Sequence, residues 1–124
     1  MIEAKPASPL LVYVACPSRM ASRADEFQNV VVEGGHAPLN PFLAFPYPLF
    51  EGGPPGRERT LEWCCRLIDI CDEVWLFGIS AGTLFEVQHL LSRGRRKDLR
   101  DFTDVYDDEV ETRRFELEQL IAQA

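Results

Sequence analysis

Ser80, Gly82 and Glu86 are spaced for chemistry beside an anion. The strand-forming run that opens at Val74 stops at Gly78, a turn of small residues follows, and Leu84, Val87, Leu90 and Leu91 then recur at helical spacing. Such a turn presents unpaired backbone N–H groups and about half a positive charge at the helix start. It also lies outside the carboxyl end of a strand, where open α/β sheets gather their ligands. Ser80 and Gly82 fall in the turn, and Glu86 comes six residues after Ser80, about one and a half helical turns further on. An anion cradle with an adjacent carboxylate suggests catalysis. The same residues also read as a Thr83-x-x-Glu86 capping box, in which hydroxyl and carboxylate do no more than satisfy the N–H groups of the helix start.

The elements around this unit read as an α/β domain. Residues 10–16 form a buried strand, and Met20, Ala24, Phe27 and Val31 then follow at helical spacing until Gly34 and Gly35 end the helix. Residues 36–42 are extended, with Pro38 and Pro41 confining them to a short or irregular edge strand. Prolines and glycines make residues 43–56 a long aromatic loop, whose Phe45, Tyr47 and Phe50 could stack on a base or pack over the sheet edge. A helix over residues 57–71 carries two apolar stripes, Leu61, Cys64, Cys65 and Ile68 on one and Trp63, Leu67 and Ile70 on the other. That width predicts burial on two sides and a homodimer or larger homo-oligomer. Arg57 and Arg59 at its start could reach a phosphate or simply face solvent. Residues 102–106 read as a further strand and 107–122 as a last helix on Val110, Leu117, Leu120 and Ile121. The order predicts a three-layer sandwich, doubly wound around a mainly parallel sheet of four to five strands.

Size and charge narrow the functions. The 124 residues make one domain, 1–124, with residues 108–124 as its C-terminal helix. Cys16, Cys64, Cys65 and Cys71 form no Cys-x-x-Cys pair, and His36 and His89 stand far from them, so no metal site is expected. Core thiols in a reducing cytoplasm are the simpler reading. The apolar run near the N-terminus is too short to span a bilayer. A net charge of -7 argues against a nucleic-acid partner, because phosphate neutralisation needs clustered Lys and Arg. The basic run from Arg93 to Lys97 reads as a solvated helix end. No cofactor is expected, and the expected partner is a small nucleotide or nucleoside.

Four segments in order, Val-Tyr-Val-Ala-Cys-Pro from Val12, Gly-Gly-His-Ala-Pro-Leu-Asn-Pro from Gly34, Cys-Asp-Glu-Val-Trp-Leu-Phe-Gly from Cys71 and Ser-Ala-Gly-Thr-Leu-Phe-Glu from Ser80, resemble the nucleoside 2-deoxyribosyltransferase-like superfamily over roughly residues 10–94. The resemblance implies a small doubly wound domain that cleaves or transfers the N-glycosidic bond of nucleosides or their 5'-monophosphates. It implies Glu86 as the nucleophile at the anomeric carbon and Tyr13 near the sugar. Ser80, Gly82 and Glu86 are similar to the Ser-x-Gly-x-x-x-Glu of the 2'-deoxynucleoside 5'-phosphate N-hydrolase branch, where serine and glycine hold the 5'-phosphate. By the same resemblance Ser18 and Arg19 add donors to that phosphate. One position departs. The second carboxylate of both branches falls on Cys64, eight residues before Asp72, and Asp69 could supply the sugar contact only in a shifted register. A nucleotide-binding or sensing domain without catalysis is the alternative, and a purely structural domain a further one.

Overall fold

Alternation along the first strand splits the core in two. β1 (Leu11–Ala15) sends Val12 and Val14 to one face and Tyr13 and Ala15 to the other, and all four are fully buried, as expected of a parallel strand covered on both sides. On one face Phe27 and Val31 of α1 (Ala24–Glu33) meet Val12, Val14, Trp75 and Phe77. On the other, Tyr13, Val74 and Leu76 pack under Cys64 and Ile68 of α3 (Pro54–Ile70) and Val87 and Leu90 of α4 (Ala81–Ser92). The computed structural model describes residues 8–45 and 54–124.

β2 (Ala37–Leu39), β3 (Glu73–Leu76) and β4 (Leu99–Asp101) complete a four-stranded sheet in the order β2-β1-β3-β4, with every pair parallel. Tyr13 lies opposite Val74 in the register of β1 and β3. This is the expected α/β fold, with helices on both faces of the sheet. Gly35, at φ 87°, closes α1 in the left-handed conformation that glycine adopts without strain. Among the described residues no helix is long and apolar enough to cross a membrane.

Several boundaries differ from those the sequence suggests. The edge strand stops at Leu39, because Asn40 accepts the Phe42 N–H at 3.0 Å and caps a short helix, α2 (Pro41–Ala44), with Pro41 in its first position. The expected loop is therefore helical at both ends, since α3 already starts at Pro54. Proline in a first turn lacks only an N–H that would have no intrahelical partner. Tyr47 and Phe50 of that loop lie outside the described residues, as does the side chain of Arg57, while Phe45 packs 5.4 Å from Trp63. The strand expected at 102–106 is instead β4 followed by the helical turn α5 (Thr103–Tyr106). Asp101 ends the strand by accepting the Thr103 N–H at 2.9 Å and hydroxyl at 2.6 Å. The last helix, α6 (Arg114–Gln123), starts well after residue 107 and buries Leu117.

Candidate functional site

The strand order reverses between β1 and β3: β1 leads through α1 to β2 on one side, and β3 leads through α4 to β4 on the other. A reversal of this kind opens a crevice at the carboxyl ends of the two strands. Gly78 lets the two turns meet there. A Cβ on it would stand 2.5 Å from the Met20 Sδ and 2.6 Å from the Pro17 Cδ, so only glycine fits without movement of the backbone. The cleft beside this junction is lined by Cys16 and Ser18 from the first turn and by Ser80, Gly82, Thr83 and Glu86 from the second. Cys64 and Leu61 of α3 close one side, and Pro41 and Phe42 the other. The cleft is small, with room of about 40 Å³.

The start of α4 settles what caps it. Ser80 is the N-cap: its Oγ accepts the Thr83 N–H at 3.2 Å, and the Thr83 Oγ1 accepts the Ser80 N–H at 2.8 Å. Thr83 also donates its hydroxyl to the Gly78 carbonyl at 2.9 Å. The capping box thus runs from Ser80 to Thr83, one turn earlier than the Thr83–Glu86 pairing, and Glu86 is no part of it. Glu86 instead turns into the cleft, 5% exposed, and accepts a hydrogen bond from the fully buried Tyr13 hydroxyl. Burial, and then the Glu86 carboxylate beside it, push the Tyr13 phenol well above its ordinary value, so it keeps its proton and acts as the donor.

Thiols surround this pair. Cys64 and Cys16 are both buried and line the same cleft. Burial, followed by the charge of Glu86, pushes each thiol up to about 12. Both are therefore protonated near neutrality and serve neither as thiolate nucleophiles nor as ready proton donors. All four cysteines are free and buried, in line with the core role expected of them.

The structure brings together Ser18, Ser80, Gly82 and Glu86, with Tyr13 directly behind Glu86. It does not bring Asp69 or Arg19 to the cleft. Asp69 pairs with the His89 Nε2 at 2.7 Å and lies 3.6 Å from the Arg93 Nε. The Arg19 Nη2 stands 3.0 Å from both carboxylate oxygens of Asp107 and donates to the Ile79 carbonyl at 3.1 Å. Asp107 is the residue that sequence reading misses. It is 3% exposed, and besides Arg19 it accepts the N–H groups of Ile79 and Glu109 at 2.9 Å each. Nothing in the surrounding sequence separates it from its acidic neighbours Asp108 and Glu109. Arg95 likewise does more than solvate a helix end, donating to the Ile68 and Cys71 carbonyls at the close of α3. Among the described residues no three His, Cys, Asp or Glu side chains converge as a metal ion would require.

Residues 10–99 match the family described as Domain of unknown function (DUF7768), and the chain belongs to that family. No curated protein and no solved structure matches the chain. The matched span holds every residue lining the cleft and stops short of Asp107.

Proposed function

We propose that this member of the DUF7768 family binds a nucleoside 5'-monophosphate at the β1–β3 crevice and cleaves its N-glycosidic bond, with Glu86 as nucleophile. The observation that carries the reading is the buried Glu86 carboxylate, held by Tyr13, in one cleft with Ser18, Ser80 and Gly82. The resemblance of the four motif segments to the nucleoside 2-deoxyribosyltransferase-like superfamily supports it. The 5'-phosphate lies against the first turn of α4, where backbone N–H groups and the helix dipole favour an anion, with the Ser18 and Ser80 hydroxyls beside it. The cleft is smaller than a nucleotide, so only part of the ligand lies inside it.

Glycoside cleavage passes through an oxocarbenium-like state that a nearby carboxylate stabilises or captures. A Glu86 oxygen bonds to C1' as the C1'–N bond breaks, and the base leaves with the electron pair and takes a proton from water. Water then attacks C1', its proton passes to solvent, the ester to Glu86 breaks, and the sugar 5-phosphate departs. Tyr13 orients the carboxylate throughout and keeps its own proton. Attack by a second base in place of water makes the same intermediate a transferase.

The replacement of the second carboxylate by the protonated thiol of Cys64 favours a second reading, a nucleotide-binding or sensing domain without turnover. Thermal-shift titration of the full chain decides binding: monophosphates stabilise it more than the matching nucleosides. Chromatography for free base then separates enzyme from sensor. The protein works in the cytoplasm in this account, in keeping with its four free thiols. It also assembles as a homodimer or larger homo-oligomer that covers Trp63, which is 39% exposed on α3. Light scattering at micromolar concentration tests that assembly, and a monomer rejects it.

A further inference from the structure

We infer that Asp107 is a positioning residue, which fixes the spacing of the Ser18 and Ser80 hydroxyls by clamping the turn after β1 to the turn after β3. The inference rests on the proposed phosphate site. Asp107 reaches residues adjacent to both serines. Its carboxylate receives Arg19, the neighbour of Ser18, and the N–H of Ile79, the neighbour of Ser80. Arg19 closes the loop by donating to the Ile79 carbonyl, so Ile79 is held through both its N–H and its C=O. The Asp107 side chain has no solvent exposure and the Arg19 side chain is 35% exposed. A charge-assisted pair sheltered to this degree is stiffer than one in water.

The clamp comes from outside the family-matched span. Asp107 sits just after α5, where its second oxygen accepts the Glu109 N–H and shapes the turn that leads toward α6. The segment beyond residue 99 therefore does more than cover the sheet: it sets the geometry of a cleft whose lining residues all lie before it. A cradle for a tetrahedral phosphate needs its donors at fixed separation, and loss of the clamp loosens the phosphate end of the site while the sugar end, at Glu86 and Tyr13, stays built.

Calorimetric titration of the full chain with a 2'-deoxynucleoside 5'-monophosphate and with the matching nucleoside tests this. Wild type prefers the monophosphate. Asp107→Asn weakens monophosphate binding about tenfold, or about 1.4 kcal/mol, leaves nucleoside binding unchanged and speeds amide exchange at Ile79. Arg19→Gln, at a partly exposed position, does the same and carries the test if the Asp107 variant does not fold. Arg19→Lys, which keeps a cation beside Asp107, recovers part of the loss, and Glu118→Gln, at an exposed position on α6, changes neither ligand. Retention of the full monophosphate preference in Asp107→Asn, or in Arg19→Gln, overturns the inference. So does tighter monophosphate binding in Asp107→Asn, which would make Arg19 a direct ligand that Asp107 holds back. An absence of any preference in wild type fails the phosphate reading itself, and the clamp falls with it.

Discussion

Glu86 and Asp107 are both buried carboxylates at the same end of the sheet, and the described groups around them differ. Asp107 receives a guanidinium and two backbone N–H groups. Burial alone would push its carboxyl up, but these donors outweigh it and hold the group below the ordinary carboxylate range. Glu86 meets a tyrosine hydroxyl and borders protonated thiols, and it faces a cleft. A carboxylate wrapped in donors is a joint in the fold. A carboxylate that lines a cleft and is oriented by a phenol that keeps its proton is, in the proposed function, the group that reacts.

The largest expected effect is at Glu86. Glu86→Gln should lower base release by about six orders of magnitude, by analogy with other lost nucleophiles, with little change in melting temperature because the amide keeps the shape. A variant that turns over as wild type does would erase the contrast between the two carboxylates.

The junction that holds them together should be less forgiving in stability than in chemistry. Gly78→Ala forces a methyl against Pro17 and Met20, and overpacking of this kind costs about 1–3 kcal/mol, read as a lower denaturant midpoint. An unchanged midpoint would mean that the two turns are not pressed together.

Asp107→Asn separates the two groups by pH. In the fold the carboxyl is held below its ordinary 3.8, so its contribution is fully present above that value and is lost as pH falls through the lowered one. The variant should be less stable than wild type at neutral pH by about 1–3 kcal/mol, the cost of poorly satisfied buried groups. It should also lose less stability on acidification below pH 4. Parallel acid-unfolding curves would remove Asp107 from the account of stability.

The smallest effect belongs to the cap. Ser80→Ala removes the acceptor for the Thr83 N–H and should cost about 1 kcal/mol, while any loss of monophosphate binding beyond that of nucleoside measures the hydroxyl's second role.

How far the sequence carries this picture follows from what is local. The strand at Val74, the turn at Gly78 and the helix that presents Glu86 are set by hydrophobic period and by small residues, and they are legible in the order of residues along the chain. The pairing of Tyr13 with Glu86 spans 73 residues, and the resemblance implies only that both stand near one sugar. The sequence also offers Thr83 and Glu86 as a capping pair, whereas the fold uses Ser80 and Thr83, because both are good caps and only the backbone geometry chooses between them. Asp107 was invisible, since a carboxylate in an acidic stretch gains its role from Arg19, 88 residues away. The helix starts at Pro54, ahead of the position its apolar pattern suggests, for a local reason: prolines that break a helix interior are welcome in its first turn.

Peptide mass spectrometry on rapidly quenched reactions tests the central claim most directly. Wild type mixed with a 2'-deoxynucleoside 5'-monophosphate should show free base in solution together with a deoxyribose 5-phosphate ester on the peptide that carries Glu86, and Glu86→Gln should show neither. Saturated binding of the monophosphate with no ester and no released base would contradict the account and leave the cleft a nucleotide-binding site.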